Sequence, residues 1–177
     1  AGATLNLSAF SSAGCVRGLK VSLDRGADRS LRLCYRLDAD PDRLRLPAPI
    51  SDPGRADELW RHTCFEVFVA GHQSTAYREF NFSPSGEWAA YAFTAYRVGI
   101  TPLALRNAPL LQWQREAARL ELIATLPAEA LIADKEGMRI ALSAVIEEQS
   151  GTITWWALKH PVGQPDFHHP ESFVLEP

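Results

Sequence analysis

The side chains with the most chemistry to offer sit in two short alternating stretches. In Trp60-Arg61-His62-Thr63-Cys64-Phe65-Glu66-Val67-Phe68-Val69, a period-two reading puts Cys64, Glu66 and Phe68 on one strand face. Phe65, Val67 and Val69 share the other. In Tyr77-Arg78-Glu79-Phe80-Asn81-Phe82-Ser83, Tyr77, Glu79, Asn81 and Ser83 oppose Phe80 and Phe82. The Phe and Val faces read as core. The other faces carry carboxylates where a strand is ordinarily apolar. Side by side, the two strands would present a floor of carboxylates and an amide, with Trp60 at the entrance of the first. Such a floor suits a small hydroxylated ligand: carboxylates and amides hydrogen-bond hydroxyls, and a flat ring stacks on C–H faces. The same pair, Glu66 and Glu79, could do acid–base work on a glycoside if spaced at ~5 Å or ~6.5–9.5 Å. Carboxylates on neighbouring strands also serve as plain acceptors, or as partners of an arginine such as Arg78 or Arg97.

The histidines suggest a second chemistry. His62, His160 and His168, joined by Asp166, could converge on a metal from distant loops. No metal-binding spacing such as HxH or HExxH supports this. The other reading has His62, His160 and His168 bonding loop backbone or lining the pocket as polar contacts, with Lys159 at its rim. Haem would need axial ligands on facing strands, and Met138 is the one methionine. The chain has no Cys-x-x-Cys-His, GxSxG, phosphate-binding loop or dinucleotide fingerprint. The sequence thus implies no metal, no cofactor and no catalytic residue. A haem- or metal-binding module and a glycan-active enzyme remain the alternatives.

The elements that must position these groups read as strands. Expected strands are 16–23, 30–37, 64–69, 77–83, 88–93, 111–116, 119–126, 138–146, 152–158 and a short 172–175. Arg25-Gly26-Ala27-Asp28 and Ser83-Pro84-Ser85-Gly86-Glu87 read as hairpin turns. Residues 38–58 hold four prolines, five aspartates and a glutamate and read as loop, as do 97–110 and 159–172. Pro127 opens a short helical turn. Nine or ten strands with almost no helix call for two antiparallel sheets packed face to face: an all-β sandwich, immunoglobulin-like or jelly-roll-like, forming one domain over residues 1–177. Adjacent Trp155 and Trp156 must point to opposite faces, one of them to the core.

Composition sets the outer bounds. The 177 residues are 46% hydrophobic and 22% charged, ordinary for a soluble globular chain with one core. A formal charge of −3 with scattered Lys and Arg argues against nucleic acid as a partner. No apolar run is long enough for a membrane span. Cys15, Cys34 and Cys64 form no CxxC pair and are odd in number. This favours a reducing compartment, the cytoplasm, or the periplasm or exterior if a signal peptide has been removed.

Three motifs in order carry a resemblance: Trp60 with Phe65-Glu66-Val67-Phe68-Val69, then Phe80-Asn81-Phe82-Ser83, then Asp166-Phe167-His168-His169-Pro170-Glu171-Ser172-Phe173. From about residue 16 to the end, the pattern resembles the DOMON-like β-sandwich superfamily and, within it, the family-9 carbohydrate-binding modules. It is similar also to a bacterial group of stand-alone DOMON-like proteins. In family-9 modules two aromatic residues clamp a terminal sugar. The resemblance implies that Trp60 is the first, that Phe167 stands where the second is usually Trp, and that Glu66 is the sugar-bonding carboxylate. The second-strand Arg and Asn fall on Asn81 and Ser83, the spacer Asp on Thr63, and the closing Arg-Asp on His168-His169. These departures imply a smaller, less charged site.

The combined reading is non-catalytic binding of a small polar ligand, a carbohydrate. Trp60 and Phe167 are its walls, Glu66, Glu79 and Asn81 its floor, and His62, Lys159, His160 and His168 surround it.

Overall fold

The computed structural model describes residues 2–8, 10–132 and 137–177. Among them are eleven strands: β1 (Gly2–Leu7), β2 (Gly18–Arg25), β3 (Leu31–Asp38), β4 (Cys64–Gly71), β5 (Tyr77–Phe82), β6 (Trp88–Phe93), β7 (Thr101–Pro102), β8 (Leu110–Glu116), β9 (Arg119–Leu126), β10 (Met138–Glu147) and β11 (Ile153–Ala157). Helix among the described residues is confined to four single 3₁₀ turns, one of them Ala128–Ala130 behind Pro127. No helix of the described residues is long and apolar enough to cross a membrane.

All ladders are antiparallel, in the order β7-β6-β5-β4-β10-β11-β1-β2-β3-β9-β8. The sheet curls over itself at β1. Gly2–Leu5 of that strand pair with β2, while Asn6 and Leu7 pair with β11. One strand that changes partner along its length makes the corner between two layers, and the result is a β-sandwich. The first layer is β1-β2-β3-β9-β8; the second runs from β11 to β7.

Alternation decides which side chains fill the space between. On β3, Leu31, Leu33, Tyr35 and Leu37 turn inward, while Arg32 and Arg36 are exposed. On β9, Leu120, Leu122, Ala124 and Leu126 do the same. The second layer answers with Phe65, Val67, Val69, Phe80, Phe82, Ile140, Leu142, Ala144 and Trp156. Tyr35 crosses the gap completely: its hydroxyl donates to the Glu66 carbonyl at 2.8 Å, and its ring meets Phe65 edge-on at 5.3 Å. A buried phenol needs such a partner.

The second layer is buried on both faces. Every residue of β4 is buried, so loops must cover its outer side. A small second cluster there, Phe68, Tyr77, Phe93, Ala141 and Phe173, packs under the C-terminal segment.

Three expectations need correction. Residues 2–7 form a strand that their sequence barely signals, and 101–102 form a two-residue strand inside the expected connection. Residues 172–175 are not a strand: Pro170–Ser172 is a 3₁₀ turn, and Leu175 makes a single bridge to Ile140. All three cysteines are free and buried.

Candidate functional site

Side chains at paired positions of a sheet share a face, so the register alone assembles the floor. Glu66 on β4 lies opposite Asn81 on β5 and Ser143 on β10. Glu79 lies opposite Phe68 and Tyr91, and Val145 lies opposite Trp155. These residues form the outer face of the second layer. A cleft of about 710 Å³ opens on it, floored by Glu66 and Glu79. Trp60, Tyr91, Phe93, Trp155 and Phe167 wall it, and Asp57, Glu58, Arg97, Ile100, Val145, Pro165 and His168 complete the lining.

Local geometry fixes each wall. Trp60 sits in the 3₁₀ turn Leu59–Arg61, entered through Glu58 in the left-handed region at φ 59°. The turn closes by hydrogen bonds from Arg61 N to Glu58 O at 3.1 Å and from His62 N to Leu59 O at 3.3 Å. The indole is left 50% exposed. The Arg61 guanidinium lies 5.5 Å from the ring and pairs with Glu58 at 2.7 Å. On the facing side, Asp166 gathers the C-terminal loop. It accepts from Arg97 Nη2 at 2.8 Å, from the His168 amide at 3.1 Å and from the Tyr96 hydroxyl. Arg97 is itself left-handed, at φ 55°. Two of the three non-glycine residues with positive φ among the described residues therefore line the cleft. Such strained positions collect at functional sites.

The floor is polar and short of donors. Ser143 Oγ donates to Glu66 Oε2 at 3.4 Å, and Asn81 Nδ2 donates to Glu79 Oε1 at 3.0 Å. Among the described residues no Arg or Lys pairs with either carboxyl group. Asn81 Oδ1 is buried without a partner. His168 Nε2 stands 3.7 Å from Glu79 Oε2. The Tyr77 hydroxyl accepts from Arg97 N at 3.2 Å and shares a hydrogen bond with His168 Nδ1 at 2.8 Å.

Burial governs ionisation here. It pushes Glu66 well above the usual carboxylate range, and the Glu79 charge adds to it against the Ser143 hydrogen bond. It pushes Glu79 up to about 7, with the Asn81 amide and Arg97 pulling the other way. It pushes His168 down to about 4; Arg97 adds to this and Asp166 opposes it. At neutral pH the floor thus holds a neutral imidazole and a Glu79 near its midpoint, beside a Glu66 that burial also holds toward its neutral form.

The structure brings Trp60, Glu66, Glu79, Phe167 and His168 to one cleft. It does not bring the other four expected residues to its surface. Asn81 is fully buried beneath the floor and works through Glu79. His62 turns away to Glu147 Oε2 at 2.8 Å, because Thr63 pins the start of β4 to β10 through the Glu147 amide at 3.0 Å. Lys159 pairs with Glu171 at 3.5 Å. His160 bonds Asn6 O at 2.8 Å and backs Phe167, with the ring centroids 6.4 Å apart. Among the described residues no three His, Cys, Asp or Glu side chains are placed to hold a metal ion. Met138 sits at the β10 start, partly buried against the core.

Sequence reasoning missed Tyr91, Phe93, Trp155 and the loop residues Asp57, Glu58, Ile100 and Pro165. Trp155 had a usable signal: with Trp156 in the core, its neighbour had to face outward. Tyr91 was also within reach, since it aligns with Glu79 once the 83–87 hairpin is registered.

No family model and no curated protein matches the chain. Solved structures do. A "putative carbohydrate-binding protein" from Bacteroides uniformis superposes with a TM-score of 0.68 at 15% identity, over 98% of this chain and 84% of that one. A family-9 carbohydrate-binding module from Caldicellulosiruptor kristjanssonii, in complex with glucose, superposes with a TM-score of 0.50 at 13% identity, over 90% and 75%. At such identities the likeness is one of fold, and the chain shares the β-sandwich fold of these proteins.

Proposed function

We propose that the cleft is a non-catalytic binding site for a saccharide, carried by a DOMON-like β-sandwich. One observation carries the reading. Trp60 and Phe167, 107 positions apart in the chain, wall a single cleft over two buried carboxyl groups with unused acceptors. Flat rings meet the C–H faces of a sugar, and the carboxyl groups meet its hydroxyls. The fold shared with a module crystallised with glucose supports it. Calorimetric titration against a panel of mono- and oligosaccharides is the test. At least one sugar is expected to bind, and Trp60→Ala is expected to weaken it about tenfold or more, as loss of an aromatic anchor does. If no sugar binds, or if folded Trp60→Ala binds as wild type, the reading fails.

One observation favours an enzyme as second reading: Glu79, raised to about 7, shares the floor with Glu66, which burial also raises, and two carboxyl groups so shifted are a pairing that acid–base catalysis uses. Hydrolysis of aryl glycosides that disappears in Glu79→Gln would establish it.

A further inference from the structure

The floor has more acceptors than a neutral sugar requires. Glu66 receives one long hydrogen bond on Oε2, and no described donor reaches Oε1. Glu79 Oε1 takes the Asn81 amide, while Oε2 has only His168, beyond hydrogen-bonding distance. A hydroxyl is both donor and acceptor, whereas an ammonium group is donor only, with three protons to give. The cations around the cleft are already engaged elsewhere. Arg97 is held by Asp166 at 2.8 Å, and Arg61 by Glu58 at 2.7 Å. Arg55 lies 5.3 Å from the Tyr91 ring and 3.6 Å from Asp57. A buried carboxylate without a counter-charge is costly. A cation arriving with the ligand would supply that charge, between aromatic faces that also attract it.

We propose that the saccharide bound in this cleft is an amino sugar, its protonated amine seated at the floor against Glu66 and Glu79. The inference rests on the saccharide reading and specifies the ligand. Its thermodynamic mark is proton release. Glu79 sits near its midpoint, so an ammonium group drives it to the carboxylate and expels a proton. The other groups facing the pair do not take up that proton. His168 on the C-terminal loop stays neutral down to about 4. The Cys64 thiol on β4 and the Tyr35 phenol from the first layer are pushed up by burial and stay protonated. Ser143 and Asn81 do not titrate, Tyr91 donates to Asp57 at 2.6 Å, and Arg97 stays charged.

The test is titration calorimetry of the whole chain with glucose, glucosamine and N-acetylglucosamine, and with the matching galacto series. Each runs at about pH 5.5 and about pH 7, in two buffers of different ionisation enthalpy. The free amine is expected to bind about tenfold tighter than both the parent sugar and the N-acetyl sugar. That ratio should widen severalfold toward neutral pH, with a proton released. Glu79→Gln should bring the ratio close to one. Equal affinities of amine and parent sugar in wild type, or an unchanged ratio in folded Glu79→Gln, overturn the amino-sugar inference and leave saccharide binding standing. Absence of binding by every sugar of both series overturns both. The wild-type ratio decides the matter even if Glu79→Gln does not fold.

Discussion

Glu79 and His168 face each other at 3.7 Å with opposite titration shifts, and this has a consequence for stability. Glu79 is raised from 4.5 to about 7, so folded protein binds more protons than unfolded across that range. Its stabilising contribution is complete below about 4.5 and lost as pH rises through 7. His168 is lowered from 6.5 to about 4, so the folded state binds fewer protons, and stability is gained as pH rises from 4 to 6.5. Each effect is on the order of 3 kcal/mol, and between about pH 4.5 and 6.5 they oppose one another. Glu66 is raised as well, so it adds a decline of its own that begins at about pH 4.5. Thermal unfolding followed from pH 4 to 9 should therefore show a Tm that falls as pH rises above about 4.5, two carboxyl groups outweighing one histidine. Glu66→Gln should flatten the profile between about pH 4.5 and 6.5, and His168→Gln should steepen its fall there. A Glu66→Gln profile parallel to wild type would rule out this assignment.

Among the elements, the 83–87 hairpin does two tasks. Gly86 N donates to Ser83 O at 3.0 Å around Pro84 and Ser85, and Ser83 N donates to Glu87 O at 2.9 Å. Gly86 takes φ 92°, and a Cβ there would stand 3.0 Å from the Pro53 ring. Tight turn and close approach both demand glycine. The turn sets the β5–β6 register that puts Tyr91 beside Glu79, and it packs the 53–57 segment leading to Asp57 and Trp60. Gly86→Ala is expected to cost about 1–2 kcal/mol in urea unfolding, from the left-handed conformation alone. No loss would mean that the turn relaxes without strain. This element was legible because Pro and Gly punctuate it. The faces of β4 and β5 were legible because alternation with a buried charge has few other meanings. The turn carrying Trp60 was not: its backbone is left-handed at a glutamate, which sequence does not announce.

At the scale of the molecule, β1 joins the layers. It covers the edges of β2 and β11 at once and buries Leu5. Deleting residues 2–7 should leave two bare edges and remove a fully buried leucine, which alone is worth about 2 kcal/mol or more. Lower stability in urea and self-association by light scattering are the expected results. A shortened chain as stable and monodisperse as the parent would show that β1 is dispensable. Nothing in Gly2-Ala3-Thr4-Leu5-Asn6-Leu7 foretold this, since the segment is a strand on account of the two edges waiting for it.

By itself, then, the sequence determined the alternation of each central strand, hence the all-β class, the core faces and the position of Glu66, Glu79 and Asn81 on one outer face. These follow from local geometry, where a period of two leaves a side chain only two directions. Tertiary structure alone decided which of those groups meet a ligand. It sank Asn81 beneath the floor, turned His62 to Glu147 and Lys159 to Glu171, tied Arg97 to Asp166 and brought Phe167 and Trp60 to one cleft. Each of these is a contact between segments far apart in the chain or a consequence of burial. Protonation follows burial, so the neutral His168 and the half-titrated Glu79 exist only once the loops have closed over the sheet.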